Sequence, residues 1–263
     1  MEGVHPVAAA GFGAAADLYE RARPSYPPDA IDWIAARTGL TAGRTVVDLG
    51  AGTGKLTRLL VQTGACVVAV EPVVEMRAKL EQVVPGVEAL DGTAESMPLP
   101  DGAADAITVA QAFHWFDRER AYPELHRVLA PGGFLVLLWN TRDLADPLHS
   151  AVDELLAPLR GTVQWQQSVE WQPEVKGSPL FGPIEQRTFA LEQQLTVDGL
   201  AERVGSTSFV AATAEAEREA LLDRVRALTA GVEEPFAFRY RTDVFVIPRL
   251  RGVSPDRRPT IEG

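Results

Sequence analysis

Cysteine is almost absent from this chain. Cys66 is the single one among 263 residues, which excludes an intrachain disulfide and a cysteine-rich metal site. Sitting in the apolar run Cys66–Val70, it is expected to be a small core residue. The lone histidines His5, His126 and His149 show no metal-ligand spacing and read as surface or packing residues, so no metal is expected. Positive charge is scarce: 25 Lys and Arg face 36 Asp and Glu, a formal net charge of −11. That balance argues against nucleic acid, whose binders need a dense basic surface to displace counterions. The one basic cluster, Arg249, Arg251, Arg257 and Arg258, is broken by Pro and Gly and reads as a solvated tail. Long hydrophobic runs are missing too. The longest clean stretch, Phe134 to Trp139, is far too short to span a bilayer. The opening Met1-Glu2-Gly3-Val4-His5-Pro6 lacks the basic and then apolar segments of a secretory signal, so no membrane partner and a cytoplasmic address are expected.

What remains is an ordinary globular mixture, 46% hydrophobic and 23% charged, long enough for one large α/β domain with or without a small appended piece. Helical patterns are expected at 14–21 and 29–37, separated by Arg23-Pro24-Ser25-Tyr26-Pro27-Pro28, whose prolines force an extended turn. Strands and helices then alternate. Thr45–Leu49, Cys66–Val70, Val87–Leu90, Ala106–Ala110 and Phe134–Trp139 read as strands; Lys55–Gln62, Val74–Val83 and Arg118–Leu129 read as helices. The strands are apolar throughout rather than alternating, which suits parallel strands buried on both faces and predicts a doubly wound sheet. Further on, helices are expected at 148–159, 196–204 and 213–229, and strands at 184–191 and 236–247. Gly161 to Pro183, polar but holding Trp165, Trp171 and Phe181, reads as a functional loop or lid.

The most informative segment is Val46-Val47-Asp48-Leu49-Gly50-Ala51-Gly52-Thr53-Gly54-Lys55-Leu56. A buried strand delivers the chain into a turn whose glycines let backbone approach a ligand. It is not a phosphate loop, because Gly54-Lys55 is followed by Leu56 and the required earlier glycine falls on Leu49. It departs from a dinucleotide fingerprint as well, because Lys55 stands where the third glycine belongs. Glu71 closes the second apolar run, twenty-one residues after Gly50, where an acid can accept both hydroxyls of a ribose.

Asp48-x-Gly50-x-Gly52-x-Gly54 resembles the first motif of class I S-adenosylmethionine-dependent methyltransferases. The resemblance extends to Gly92-Thr93-Ala94-Glu95-Ser96-Met97-Pro98, with Thr93 where the family usually has Asp, and to Arg127-Val128-Leu129-Ala130-Pro131-Gly132-Gly133. It spans about Val46 to Trp139. It implies a seven-stranded, mostly parallel Rossmann-like α/β sheet, with an N-terminal helical segment and a C-terminal helical insertion or lid. The implied cofactor is S-adenosylmethionine, with S-adenosylhomocysteine as product. The implied cofactor residues are Asp48, Gly50, Gly52 and Gly54 for the amino-acid tail and sulfonium, Glu71 at the ribose, Thr93, Ala94 and Glu95 at the adenine, Gln111 after the fourth strand, and also Pro72 and Met76. Phe12-Gly13, Tyr19, Arg23-Pro24-x-Tyr26-Pro27 and Gln111-Ala112-Phe113-His114-Trp115 look like a small-molecule subgroup near the trans-aconitate methyltransferase-like proteins. On this reading Tyr19 and Arg23 fold over the cofactor, with Arg23 near its carboxylate, or else only pack the N-terminal helix.

Methyl transfer demands alignment and exclusion of water more than any one catalytic side chain. His114 is the candidate base, an imidazole beside the expected methyl position; the alternative is a pocket wall formed with Trp115. Trp165 and Trp171 line the acceptor site or the core of a lid. The resemblance implies a small organic acceptor methylated on O or N, a carboxylate included. Neither the motif of nucleobase methyltransferases, nor the thiols of arsenic enzymes, nor a convincing magnesium site of the catechol type is found. A non-catalytic cofactor binder and, behind it, an NAD-dependent oxidoreductase are the alternatives. The expected organisation is a cap at 1–40, a cofactor-binding core at 41–141, the rest of the sheet with acceptor-side helices at 142–248 and a basic tail at 249–263, in a monomer or homodimer.

Overall fold

The computed structural model describes residues 16–159 and 171–251; Phe12-Gly13, His5, Trp165, Arg257 and Arg258 lie outside them. Helices α1 (Ala16–Ala22) and α2 (Pro28–Thr38) precede β1 (Thr45–Leu49), α3 (Thr57–Leu60), β2 (Cys66–Val70), α4 (Val74–Val83), β3 (Glu88–Leu90) and β4 (Ala104–Ala110). Then come α5 (Arg118–Val128), β5 (Leu129–Arg142), α6 (Pro147–Leu156), α7 (Trp171–Gly177), β6 (Glu185–Leu195), α8 (Val197–Gly205), α9 (Ser208–Ala211), α10 (Glu215–Ala227) and β7 (Phe236–Pro248). Strand order is β3-β2-β1-β4-β5-β7-β6. The first five strands are parallel, and β7 runs antiparallel to both β5 and β6. This is the expected Rossmann-like, mostly parallel seven-stranded sheet, with helical extensions before β1 and after β5.

Residues one apart along each strand enter opposite cores, as the pleat requires. Val47, Ile107 and Leu135 face α5 and α7, while Val46, Ala106 and Val136 face α2 and α3. A third cluster gathers α6, α8 and α10 over the outer reach of β6 and β7, around Leu200, Leu222, Phe238 and Tyr240.

Several boundaries differ from the sequence expectation for physical reasons. β5 runs past Trp139 to Arg142 because antiparallel pairing with β7 carries Asn140, Thr141 and Arg142 against Thr242, Arg241 and Tyr240, extending the strand through polar residues. The expected helix at 55–62 starts at Thr57 and tightens to a 3₁₀ turn at Val61–Thr63, closed by Gly64 at φ 82°. Part of the expected loop is α7. Its Trp171 stacks on Trp139 with ring centroids 5.6 Å apart and meets Phe245 edge-on, making it core. Cys66 is exposed, contrary to its expected burial: it is the first residue of β2, paired with Thr45 at the entry edge of the sheet, and only the following residues turn inward. Arg249 is not part of a solvated tail. Its amide donates to the Gly133 carbonyl and its Nε to the His126 carbonyl.

Candidate active site

Parallel strands leave a crevice at their carboxyl ends where the order reverses, here between β1 and β4. The turn after β1 enters that crevice with Gly50, Gly52 and Gly54 all at positive φ. At Gly50 a Cβ would stand 2.7 Å from the Cβ of Ala112, so a side chain is sterically barred as well as conformationally strained. At Gly52 a Cβ would meet nothing within 4 Å, so this backbone lies bare against open space.

Two adjoining cavities lie there. The larger, about 760 Å³ out to its open mouth, is lined by residues of the glycine turn, by Glu71, Pro72, Val73 and Met76, by Gly92 to Glu95, and by Ala110, Gln111, Ala112, Trp115 and Phe116. Tyr19 of α1 overhangs both. The second, about 580 Å³, adds Arg23, Asp48, Lys55, Asn140 and Arg203. Ten of the fourteen residues expected from the sequence line the cleft: Tyr19, Gly50, Gly52, Glu71, Pro72, Met76, Thr93, Ala94, Glu95 and Gln111. Arg23 and Asp48 line the adjoining cavity.

Glu71 is 6% exposed. Its Oε2 accepts from the Gly52 amide and its Oε1 from the Val73 amide, each at 2.8 Å. The end of β2 is thereby tied to the glycine turn. Burial pushes the Glu71 carboxyl up to about 7, against the pull of the two amides and Arg77. Asp48, 1% exposed, is braced rather than open: Oδ2 accepts from the Thr57 hydroxyl at 2.6 Å and Oδ1 from Thr108 at 3.2 Å. Burial raises it to about 6 while those hydroxyls lower it. Asp48 thus locks α3 and β4 around the turn. Glu95 shows a similar use, since its Oε1 accepts from the Asp117 amide at the head of α5.

Gln111 has φ 59°, the one described non-glycine residue in the left-handed region. Its amide donates to Leu138 and its side chain to the Asn140 carbonyl, at 3.4 Å, which holds the strained turn open beside both cavities.

Two expected residues lie elsewhere. Gly54 lines neither cavity; a Cβ there would press on Leu80 and Val84, so its task is packing α4 against the turn. His114 lines neither cavity either: the 3₁₀ turn Phe113–Trp115 presents Trp115 to the cleft, and the imidazole lies 4.5 Å from the indole, centroid to centroid. The structure places His114 against Trp115. Of the other histidines, His149 is stacked 3.6 Å from Phe238, and its pKa is lowered to about 4 by burial and Arg142. His126 faces the Leu250 carbonyl, and no group of metal-ligating side chains occurs among the described residues.

Sequence reasoning missed Glu20. From α1 it accepts Thr53 Oγ1 at 2.5 Å and Arg58 Nη2 at 2.6 Å on its two carboxylate oxygens, and Lys55 Nζ at 2.6 Å on its carbonyl. No local motif marks it. The only hint is its place between Tyr19 and Arg23, both already expected at the site. No helix among the described residues is long and apolar enough to cross a membrane.

Residues 47–137 match the family model described as a methyltransferase domain. A methyltransferase of Mycobacterium tuberculosis, itself uncharacterized, is 43% identical over 223 residues, covering 83% of this chain and 85% of that one. A methyltransferase-like protein of Schizosaccharomyces pombe is 36% identical over 202 residues, covering 76% and 78%. A solved structure from Anaeromyxobacter dehalogenans, described as a type II methyltransferase, aligns at TM-score 0.64 with 26% identity, covering 87% of this chain and 97% of that one. With this strand order and glycine turn, the chain belongs to the class I S-adenosylmethionine-dependent methyltransferases.

Proposed function

We propose that this protein binds S-adenosylmethionine in the cleft, moves its methyl group to an oxygen or nitrogen of a small organic acceptor, and leaves S-adenosylhomocysteine. The observation that carries this reading is the unit formed by Glu71 and Gly52. A buried carboxylate accepting two backbone amides keeps lone pairs for ribose hydroxyls, and the bare backbone of Gly52 lies next to it. The donor set fits a nucleoside with an amino-acid tail better than a diphosphate, which would meet the Glu71 and Asp48 carboxylates at the turn. Pro72 and Met76 lie beside the ribose position, Thr93, Ala94 and Glu95 face the adenine, and Arg23 and Asp48 border the cavity that receives the tail.

The bound cofactor supplies a methyl carbon activated by a sulfonium, with a neutral thioether as leaving group. The chain holds the reactants in line and excludes water. Gln111 sits on the wall shared by both cavities, at the junction where acceptor and cofactor meet. Tyr19 covers that junction from α1. A carboxylate acceptor needs no base, and the placement of His114 outside both cavities favours an acceptor of that kind. On the segments Arg23–Pro27 and Gln111–Trp115 we read the chain as a member of a small-molecule subgroup near the trans-aconitate methyltransferase-like proteins. In this organisation residues 1–40 cap the cofactor, 41–141 bind it and 142–248 carry the acceptor side.

Calorimetry tests the cofactor. S-Adenosylmethionine and S-adenosylhomocysteine are expected to bind and NADH is not; NADH binding without either would refute the reading. Incubation with acids, phenols and amines, read by mass spectrometry, then distinguishes an enzyme from a cofactor-binding protein without activity.

A further inference from the structure

One carboxamide fastens the segment between α1 and α2 to the sheet. That segment, Pro24–Pro27, lines the second cavity with Pro24 and Tyr26, next to Arg23. Its two prolines have no amide to donate. Among the described residues, its one main-chain link to the sheet is the Ser25 carbonyl, which accepts from Nδ2 of Asn140 at 2.9 Å. Asn140 stands at the polar tip of β5 and lines the same cavity. Its main-chain carbonyl accepts the Gln111 side chain, and its Oδ1 accepts from the Thr242 hydroxyl at 2.7 Å.

Thr242 decides which way that carboxamide points. A backbone carbonyl can only accept, so the amino end of Asn140 has to face Ser25 and its oxygen has to face Thr242. The hydroxyl must then donate. Thr242 is fully buried and lines neither cavity. On β7 it is directly opposite both Asn140 of β5 and Phe189 of β6, so the three side chains form one row across the sheet. Phe189 belongs to the apolar cluster against α2, with its ring 6.0 Å from that of Trp33. Among the described residues the hydroxyl has one hydrogen-bond partner, the Asn140 oxygen. Packing alone would be served by a valine; the hydroxyl adds this bond.

We propose that Thr242 is a positioning residue of the cofactor site: it acts through Asn140 to hold Ser25, and with it the Arg23–Tyr26 wall, against the sheet. It touches no ligand itself. The proposal rests on the cofactor reading above. Arg23 lies 5.2 Å from the centre of the Tyr19 ring, so a wall that shifts carries the roof of both cavities with it. Without the hydroxyl the carboxamide is free to turn and the Ser25 link opens. Ligand binding then has to order the wall as well, and affinity falls.

Calorimetry of the full-length protein with S-adenosylhomocysteine tests this. Thr242→Val keeps the shape and removes the hydroxyl; it is expected to weaken binding about three- to tenfold, the size of one net hydrogen bond. Thr242→Ser keeps the hydroxyl and is expected to stay within about twofold of the unaltered protein. Asn140→Ala is expected to weaken binding too. Adding Thr242→Val to it is expected to change affinity by less than about twofold, because the two residues act as one unit. The proposal is overturned if Thr242→Val binds like the unaltered protein, or if Thr242→Ser binds as weakly as Thr242→Val. It is overturned equally if Thr242→Val costs as much in the Asn140→Ala background as alone, which would make Thr242 a packing residue of β7. Should Thr242→Val not fold, Thr242→Ala removes the same hydroxyl and carries the same expectations. Hydrogen exchange reads the wall without any ligand: residues 19–26 are expected to exchange about three- to tenfold faster in Thr242→Val and not in Thr242→Ser. Unchanged exchange there would overturn the proposal. Failure of the cofactor reading looks different: the unaltered protein would not bind S-adenosylhomocysteine, while the exchange comparison would still report on Thr242.

Discussion

Glu71 makes the most exacting prediction, because its proton couples to stability and to cofactor binding with opposite signs. An unfolded glutamate loses its proton near 4.5, and Glu71 in the fold does so near 7. Between those values the native state keeps a proton that the unfolded chain has released. Stability is therefore greatest below about 4.5 and is lost as pH rises towards 7. The gap corresponds to about 3 kcal/mol, or roughly 6–12 °C in melting temperature for a chain of this size. Asp48 acts in the same direction across a lower window, from 3.8 to about 6. Cofactor affinity runs the other way, since a protonated Glu71 offers fewer acceptors to ribose hydroxyls, and binding is expected to weaken by about tenfold per pH unit below 7. The assay is thermal melting of the ligand-free protein and of Glu71→Gln from pH 4.5 to 8. Because the variant does not titrate at this position, the melting temperature of the unaltered protein should fall relative to that of the variant as pH rises through that window and level off above 7. Repeating the series with S-adenosylhomocysteine should give stabilisation that grows with pH for the unaltered protein only. A difference between protein and variant that stays flat from pH 5 to 7 would refute the argument.

Gly50→Ala is expected to lose about 2–4 kcal/mol of stability, from left-handed backbone strain and the 2.7 Å approach to Ala112, as measured by urea unfolding. Glu20→Gln is expected to weaken S-adenosylhomocysteine about 5- to 50-fold in calorimetry with a small change in melting temperature, because it loosens α1 from the glycine turn rather than the core. His114→Ala is expected to reduce kcat less than about tenfold once an acceptor is in hand. A loss of a thousandfold would restore the imidazole as a base.

The parallel half of the sheet is readable in the sequence because burial on both faces leaves a plain signature. β1 and β2 are short valine-rich runs with the bounds expected from the sequence, and the glycines after β1 announce the turn. The other half was less legible. Phe189 and Leu195 turn inward from a β6 that is otherwise largely exposed, and the polar tip of β5 becomes a strand only through its pairing with β7. Site chemistry divides in the same way. Glu71 could be placed by its spacing from Gly50. The joining of Arg23 to Arg203, 180 residues apart in the chain, depends on how α8 settles against α1, and no local pattern encodes that. The conformation of Gln111 was equally hidden, because glutamine carries no preference for positive φ that a sequence would advertise.

The first helix has a consequence for traffic through the site. α1 is buckled at both ends of the crevice: Glu20 grips the glycine turn, whereas the Ala22 carbonyl accepts from Gln193 of β6 and Arg23 reaches Ser206 just beyond α8. A nucleoside lying beneath Tyr19 cannot depart upwards without unfastening one side of that buckle. Under the proposed function, exchange of spent for fresh donor would be linked to the same few contacts that fasten α1 to the glycine turn, to β6 and to Ser206.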